Sequence, residues 1–278
     1  DAGEKLLKLD NFLCDLKELQ IRDGLHIFGV TPDRPLADGL LTQMLRTPRG
    51  DGTGAQAALP RALAADLGLK GDGDGILDPL TAERAVPWDG VRPRMLADMS
   101  SAPWRSTGDT VERLDLLAHA LVEHRVPPPG PQSAMIIETS LPTIRDRLTA
   151  CGPREMDALL LALNGRFVPA GPSGAPTRGR PEVLPTGRNF FSIDSRALPT
   201  PVAWRLGWAS AEALLDRHLM EHGNWPRAIV LSAWGTSNMR TGGDDLAQAL
   251  VLMGVRPFWD ASSRRVTGFD IIPLEVLD

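Results

Sequence analysis

Residues 171–201 form an irregular segment that contains candidate ligand-binding and catalytic side chains. Between Gly171 and Pro201 there are four arginines and two acidic residues, although the whole chain carries a formal net charge of -5. Clustered guanidinium groups can bind an anionic ligand through paired N–H donors. The alternative is a solvated loop with ordinary surface arginines. The charged residues of the segment are Arg178, Arg180, Glu182, Arg188, Asp194 and Arg196.

The middle of this segment reads LPTGRNFFSIDSRALPTP, residues 184–201, and follows neither a helical nor a strand period. It contains the adjacent pair Phe190 and Phe191, and aromatic residues are rare in disordered segments because they drive burial. Long irregular stretches inside compact domains are usually functional or disordered. We therefore expect residues 165–199, called the strap below, to form a long ordered loop around a ligand cleft or a neighbouring domain.

A second candidate segment reads WGTSNMRTGGDD, Trp234 to Asp245, between a predicted strand and a predicted helix. Backbone amides and small residues at such a position often bind anions. A nucleotide-binding P-loop ends in Gly-Lys-Ser/Thr, and this ending occurs nowhere in the chain, so we expect no ATP hydrolysis here. The alternative is a plain connecting loop in which Asp244 caps the next helix.

Two histidines one helical turn apart provide a competing hypothesis. The sequence HLMEH places His218, Glu221 and His222 in the order found in one class of zinc peptidases. No third ligand is identifiable in the sequence, and the same helical face carries Trp204 and Trp208, which favours a core-facing stripe. The sequence therefore assigns no set of metal ligands.

Helices are predicted for most of the first half. Apolar residues recur at helical spacing from Leu6 to Leu16 and in 33–45, 57–67 and 109–124. Further helices are predicted for 141–150, 153–164 and 202–222. The proline-rich VPPPGPQ, residues 126–132, reads as a semi-rigid linker. We expect it to separate a mainly helical portion, 1–130, from an α/β portion, 131–278.

The last fifty residues change character. Residues 228–233 read as a buried strand, 244–254 as a helix, and 255–259 and 266–272 as strands. This β-α-β-β order predicts a small sheet with a right-handed crossover. The predicted fold class is mixed α/β: a helical N-terminal portion, then an α/β portion with a small sheet and a long ordered loop.

Composition excludes several classes of protein. A chain of 278 residues with 42% hydrophobic residues can bury a substantial core. No apolar run reaches the roughly 18 residues of a membrane helix, and the first residues lack the plan of a signal peptide, so we expect a cytoplasmic protein without a membrane span. The acidic balance argues against a nucleic-acid surface. Cys14 and Cys151 lie too far apart in sequence for a zinc knuckle.

Three stretches together resemble a known family. GAPTRGRPEVLPTGRNFFSID, WGTSNMRTGGDDLAQALVLMGVRPFWD and RRVTGFDIIPLEVL are similar to the large subunit of ATP-dependent cobaltochelatases, a relative of the porphyrin-binding H subunit of magnesium chelatases. The resemblance is strong over 165–277 and moderate over the N-terminal helices. The arginine of PTGRN and the sequence SNMRTGG resemble the cobaltochelatases, called the cobalt branch, more than the magnesium chelatases. Since members of the family are several times longer, the resemblance identifies the chain as a fragment.

The resemblance implies metal insertion into a tetrapyrrole. In the cobalt branch the substrates are hydrogenobyrinic acid a,c-diamide and Co²⁺, and partner subunits of AAA+ type hydrolyse ATP. Such a ligase belongs to cobalamin biosynthesis, and the isolated fragment is expected to be inactive because a family motif with a His and a Glu is missing. The alternatives are a magnesium chelatase H-type subunit acting on protoporphyrin IX, a zinc peptidase, and a non-catalytic scaffold.

Within that family the candidate residues take specific roles. Arg188 would pair with a ring carboxylate, Asn189 would donate an amide hydrogen bond, and Phe190 or Phe191 would stack on the ring. Asp194 would accept a pyrrole proton or pass on the metal, which makes it the catalytic candidate. We expect the two segments to meet in one cleft, unless the strap is purely structural. The second segment would add the substrate-binding residues Trp234, Thr236, Asn238 and Arg240.

Overall fold

The computed structural model describes residues 27–71, 75–191, 194–260 and 265–273. The helix predicted around Leu6 to Leu16 and the residue Cys14 lie outside the described residues. Helices dominate the chain up to residue 163. They are α1 (Arg34–Arg46), α2 (Leu59–Asp66), α3 (Arg94–Ala97), α4 (Thr107–Val122), α5 (Pro131–Met135), α6 (Leu141–Thr149) and α7 (Cys151–Leu163), with a π-helical turn at Ile136–Ser140 between α5 and α6.

The second half is mixed. It contains three helices, two short two-stranded sheets and several 3-10 turns within the described ranges. The helices are α8 (Pro201–His222), α9 (Gly235–Thr241) and α10 (Asp244–Leu252); the strands are β1 (Ala170–Pro172), β2 (Asn189–Phe191), β3 (Val255–Trp259) and β4 (Val266–Ile271). The predicted fold class, mixed α/β with a helical first portion, is confirmed.

Local sequence signals explain where the helices begin and end. Asp33 caps α1 by accepting a hydrogen bond from the amide of Leu36, 3.2 Å away. Ser106 and Asp109 form a capping box at the start of α4. Thr200 caps α8, which ends at Gly223 in the left-handed conformation, φ 71°. The predicted helix boundaries agree with the observed ones within a few residues.

Two hydrophobic clusters hold the described residues together. The first is built mainly from leucines of α1, α2 and α4, and it also takes in residues of α6, α7 and the strap. The second is small and lies between α8, α10 and the end of β4, around Ala203, Trp204 and Ala247. Since the first cluster contains Leu121 as well as Ile136 and Leu141, it crosses the proline-rich linker. The boundary at residue 130 stays a prediction.

The predicted strand at 228–233 is wrong. These residues form neither strand nor helix, and they are mostly exposed, with Val230 98% accessible. A strand exists only where another strand satisfies its backbone groups. In the described part of the chain β3 pairs with β4, antiparallel, so the predicted crossover unit does not form. Across the same residues, no helix is long and apolar enough to cross a membrane.

Candidate functional site

The first part of the strap is fastened to the end of α1. Thr47 donates a hydrogen bond from Oγ1 to the carbonyl oxygen of Thr177 over 3.2 Å. Gly179 has a positive φ of 77°, and a Cβ there would lie 2.5 Å from the carbonyl oxygen of Pro48. Only glycine permits this close backbone approach. The sequence PTRGR therefore folds as a turn pressed against the helical portion.

The PTG sequence that precedes Arg188 is anchored on α7. Glu155 is 2% exposed and accepts hydrogen bonds from the hydroxyl of Thr186 and, over 2.7 Å, from the amide of Gly29. Gly187 has φ 79°, and a Cβ there would lie 2.5 Å from the carbonyl oxygen of Arg154. Buried Val183, just upstream, joins the first hydrophobic cluster. This part of the strap therefore lies against α7 and the first hydrophobic cluster.

The predicted binding residues of the strap lie on or beside β2. This strand pairs in parallel with β1, and Phe190 is in register with Gly171. Arg188 is exposed, and it forms no ion pair with any residue in the described ranges. Asn189 is exposed too, and its Nδ2 donates to the carbonyl oxygen of Val168 over 3.0 Å. Arg188 is therefore accessible to a ligand, whereas one donor of Asn189 is used to hold the strand.

Asp194 is engaged by two arginines. Its carboxylate accepts hydrogen bonds from Arg196 Nε at 2.9 Å and Nη2 at 3.1 Å, and from Arg265 Nε at 2.8 Å. It also caps a 3-10 turn by accepting from the amide of Arg196. The side-chain hydrogen bond from Arg196 is the largest of the effects that lower the pKa of Asp194 to about 2. Such a weakly basic carboxylate is poorly matched to accepting a proton near neutral pH.

In the second segment, Asn238 is the buried member of the four predicted binding residues. Asn238 Nδ2 donates to the carbonyl oxygen of Trp234 over 2.9 Å and to Asp245 over 3.1 Å, which ties the segment to α10. Trp234, Thr236 and Arg240 are exposed. These contacts give Asn238 a structural task and leave the other three accessible.

The strap and the second segment are in contact near Thr200 and Arg178. The amide of Thr200, just past the strap, donates to the carbonyl oxygen of Gly242 over 2.8 Å. Arg178 pairs with Asp244 at 3.3 Å. Among the described residues, no hydrogen bond or ion pair joins the stretch 188–190 to the stretch 234–240. The shared cleft stays a prediction.

A cavity of about 500 Å³, called the arginine cavity below, lies between the helical portion, the strap and the start of α8. Sequence reasoning singled out Arg178 and Arg180 but missed Arg61 of α2 and Arg205 of α8, because no local pattern indicates that these helices meet the strap. The cavity is lined by Pro48, Gly50, Asp51, Gly52, Thr53, Arg61, Arg178, Gly179, Arg180, Glu182, Ala197, Thr200, Pro201, Val202 and Arg205.

The electrostatics of the arginine cavity are set by these four guanidinium groups. Arg180 pairs with Glu182 at 3.0 Å, and Arg205 pairs with Asp78. Burial lowers the pKa of Arg205, and the positive charge of Arg61 lowers it further. Arg61 itself is exposed and has no ion pair within the described ranges. Like charges are therefore held close enough together to repel one another.

The histidines of the zinc-peptidase hypothesis lie side by side on α8. The ring centroids of His218 and His222 are 4.4 Å apart. Glu221 accepts a hydrogen bond from Arg217 Nε over 2.8 Å, and this contact lowers the pKa of Glu221. In the part of the chain that the structure describes, no group of three His, Cys, Asp or Glu side chains is placed to hold a metal ion. The geometry gives a zinc peptidase no support.

Comparison with known proteins places these features in a family. The family model described as CobN/Magnesium Chelatase matches residues 1–278. The aerobic cobaltochelatase subunit CobN of Pseudomonas aeruginosa is 53% identical over the whole chain, and that of Sinorhizobium sp is 51% identical. The H subunit of the magnesium chelatase of Rhodobacter capsulatus is 43% identical over 44% of this chain and 10% of its own length.

A solved structure is similar as well. The catalytic subunit of cobaltochelatase from Mycobacterium tuberculosis superposes with a TM-score of 0.62 at 35% identity, over 92% of this chain and 20% of that chain. The present chain spans 22% and 23% of the two CobN proteins. It therefore corresponds to about a fifth of its relatives.

Proposed function

Because this chain belongs to the CobN/magnesium chelatase family, we propose that it is the part of a cobalt-type large subunit that helps hold a tetrapyrrole during the insertion of Co²⁺. The observation that carries the proposal is the identity of 51% and 53% to cobaltochelatase subunits across the whole chain. Identity to the magnesium-chelatase relative of R. capsulatus extends over 44% of the chain. This difference favours the cobalt branch.

The proposed substrates are hydrogenobyrinic acid a,c-diamide and Co²⁺. The exposed guanidinium of Arg188 would bind a carboxylate of the ring, and exposed Trp234 would offer an aromatic surface. Arg196 and Arg265 lower the pKa of Asp194 to about 2 and engage both of its carboxylate oxygens, so Asp194 would need to leave these arginines before it could accept a proton or bind the cation. ATP would be hydrolysed by partner subunits of AAA+ type, as the resemblance to ATP-dependent cobaltochelatases implies. A location in the cytoplasm stays a prediction.

Titration of the chain with two tetrapyrroles tests this proposal. Hydrogenobyrinic acid a,c-diamide should quench the tryptophan fluorescence at lower concentration than protoporphyrin IX does. Tighter binding of protoporphyrin IX would move the chain to the magnesium branch. If the chain contained one zinc ion per molecule and the variant His218→Ala contained none, the zinc-peptidase hypothesis would be supported instead. If the chain bound neither tetrapyrrole nor zinc, the remaining alternative would be a non-catalytic scaffold.

Arg188→Ala tests the binding residue. Loss of a bidentate charged contact typically costs about 1.5–3 kcal/mol, so we expect affinity for hydrogenobyrinic acid a,c-diamide to fall about 10- to 100-fold. Arg166→Ala is the control, because Arg166 is exposed and lies just outside β1. An affinity unchanged in Arg188→Ala would return this part of the strap to a structural role.

A further inference from the structure

We infer that the arginine cavity is a binding site for a ligand that carries several carboxylate groups. The inference deepens the proposed function, on which it rests for the natural ligand: the cavity would take carboxylate side arms at the edge of the tetrapyrrole. It concerns residues that neither candidate segment predicted, namely Arg61 of α2 and Arg205 of α8.

The first argument is the charge of the cavity wall. Four arginines and two acidic residues line it. The arginines come from α2, the strap and α8, and α2 is far in sequence from the other two. Arg178, Arg180 and Arg205 form ion pairs with Asp244, Glu182 and Asp78, so Arg61 is the lining arginine without an ion pair among the described residues. An anion in the cavity would be attracted to the unpaired guanidinium group of Arg61. The effect of Arg61 on the pKa of Arg205 is a sign that these two positive charges lie close together.

The second argument is the number of hydrogen-bond donors that remain. A guanidinium group has five N–H donors in a planar fork. The ion pair with Asp244 involves Nη1 of Arg178, the pair with Glu182 involves Nε of Arg180, and the pair with Asp78 involves Nη2 of Arg205. Each pair orients its arginine and leaves other donors of that arginine for a ligand. Pre-oriented guanidinium forks suit carboxylates, which accept two parallel hydrogen bonds.

The third argument is the rigidity and size of the cavity. The contact of Gly179 with Pro48 and the hydrogen bond between Thr47 and Thr177 fix the strap to the opposite wall. The volume of about 500 Å³ falls within the usual range of small-molecule pockets, about 300–1,000 Å³. Pro48, Pro201 and Val202 add an apolar surface beside the charges, as the edge of an organic ring would need.

Calorimetric titration with mellitate, a benzene ring with six carboxylates, tests the site without a tetrapyrrole. We expect binding to the chain, weakening as salt is added, and a loss of about tenfold or more in affinity in Arg61→Gln and in Arg205→Gln. Arg61→Gln carries the test, because Arg61 is exposed and its replacement breaks no ion pair among the described residues. The matched control is Arg94→Gln, whose side chain is 94% exposed outside the cavity and pairs with Asp98.

A second titration compares coproporphyrin with its tetramethyl ester, which has the same ring without the charges. If the wild type binds the free acid more tightly than the ester, and Arg61→Gln binds the two equally, the inference is supported. Mellitate binding without binding of either porphyrin or of hydrogenobyrinic acid a,c-diamide would support the carboxylate site and overturn the proposed function. Equal binding of acid and ester, with no mellitate binding, would leave the proposed function standing and overturn the inference. Equal loss of mellitate affinity in Arg94→Gln and Arg61→Gln would also overturn it.

Discussion

The two hydrophobic clusters differ in the number and size of the side chains that they bury. The first contains many fully buried leucines, among them Leu41, Leu63 and Leu114, whereas the second has a few buried residues, half of them alanines. Large apolar side chains are exposed in the same half of the chain as the second cluster, including Met220, Val230 and Ile271. Among the described residues, the α/β portion therefore exposes more large apolar side chains than the helical portion does.

This difference predicts unequal costs when each cluster is truncated. Leu63→Ala should lower the free energy of unfolding by about 2–5 kcal/mol, because a fully buried leucine leaves a cavity. Val251→Ala in the second cluster should cost about 1–2 kcal/mol, since it removes two carbon groups worth about 0.8 kcal/mol each. Urea denaturation followed by circular dichroism measures both. A larger cost for Val251→Ala would reverse the ranking of the clusters.

In the second cluster, α8 packs closely against α10 at Gly207. A Cβ at Gly207 of α8 would lie 2.5 Å from Ala247 Cβ and 2.7 Å from the amide nitrogen of Gln248. Gly207→Ala should therefore destabilise the protein, because overpacking costs typically about 1–3 kcal/mol and exceeds the gain in helix propensity of up to about 1 kcal/mol.

Gly39→Ala in α1 is the matched control, since nothing lies within 4 Å of a Cβ at that position. That variant should gain stability through helix propensity alone, by up to about 1 kcal/mol. The two changes in melting temperature should thus have opposite signs. Stabilisation by Gly207→Ala would show that α8 and α10 do not pack as tightly as their glycine contact indicates.

The same contrast explains what could be predicted from the sequence. Helices such as α1 and α4 have caps and apolar stripes encoded within their own residues, so their positions were predicted closely. The residues 228–233 have the composition of a buried strand, but a strand depends on a partner that is not part of the local pattern. The prediction there was wrong for that reason.

The candidate site was predictable to a lesser extent. The strap was expected to be ordered, and its anchors Gly179 and Gly187 explain why PTRGR and PTGRN contain glycine at those positions. The convergence of Arg61 and Arg205 on the strap depends on how α2 and α8 pack. Neither residue belongs to a motif, so only the tertiary structure reveals the arginine cavity.

Asp194 allows a smaller, pH-dependent test of the strap. Its folded pKa of about 2 lies below the usual value of about 3.9 for an unfolded chain. A depressed pKa means that the carboxylate contributes stability above pH about 4, and that this contribution is lost as the pH falls toward about 2. Asp194→Asn should therefore lower the urea midpoint at neutral pH, and the difference from the wild type should shrink between about pH 4 and about pH 2.

Asp98→Asn is the control for that series, because Asp98 also pairs with an arginine but at 3.7 Å on an exposed helix end. Surface pairs of this kind contribute little. If Asp194→Asn behaved like Asp98→Asn at every pH, the paired contacts of Arg196 and Arg265 would have no influence on folding. If Asp194→Asn in the full-length subunit with its partner subunits lost Co²⁺ insertion without a change in the urea midpoint, Asp194 would have a chemical role.

The smallest expected effect concerns the segment where sequence and structure disagree. Val230 is 98% exposed, so Val230→Thr should change the free energy of unfolding by no more than about 0.5 kcal/mol. The matched change in the helical portion is Val111→Thr in α4, which places a hydroxyl at a fully buried position and should cost about 1–3 kcal/mol. Urea titrations of both variants and the wild type give the comparison directly. A cost for Val230→Thr as large as that for Val111→Thr would mean that residues 228–233 are packed as the sequence predicted, and that the α/β portion buries more of its apolar surface than its exposed side chains indicate.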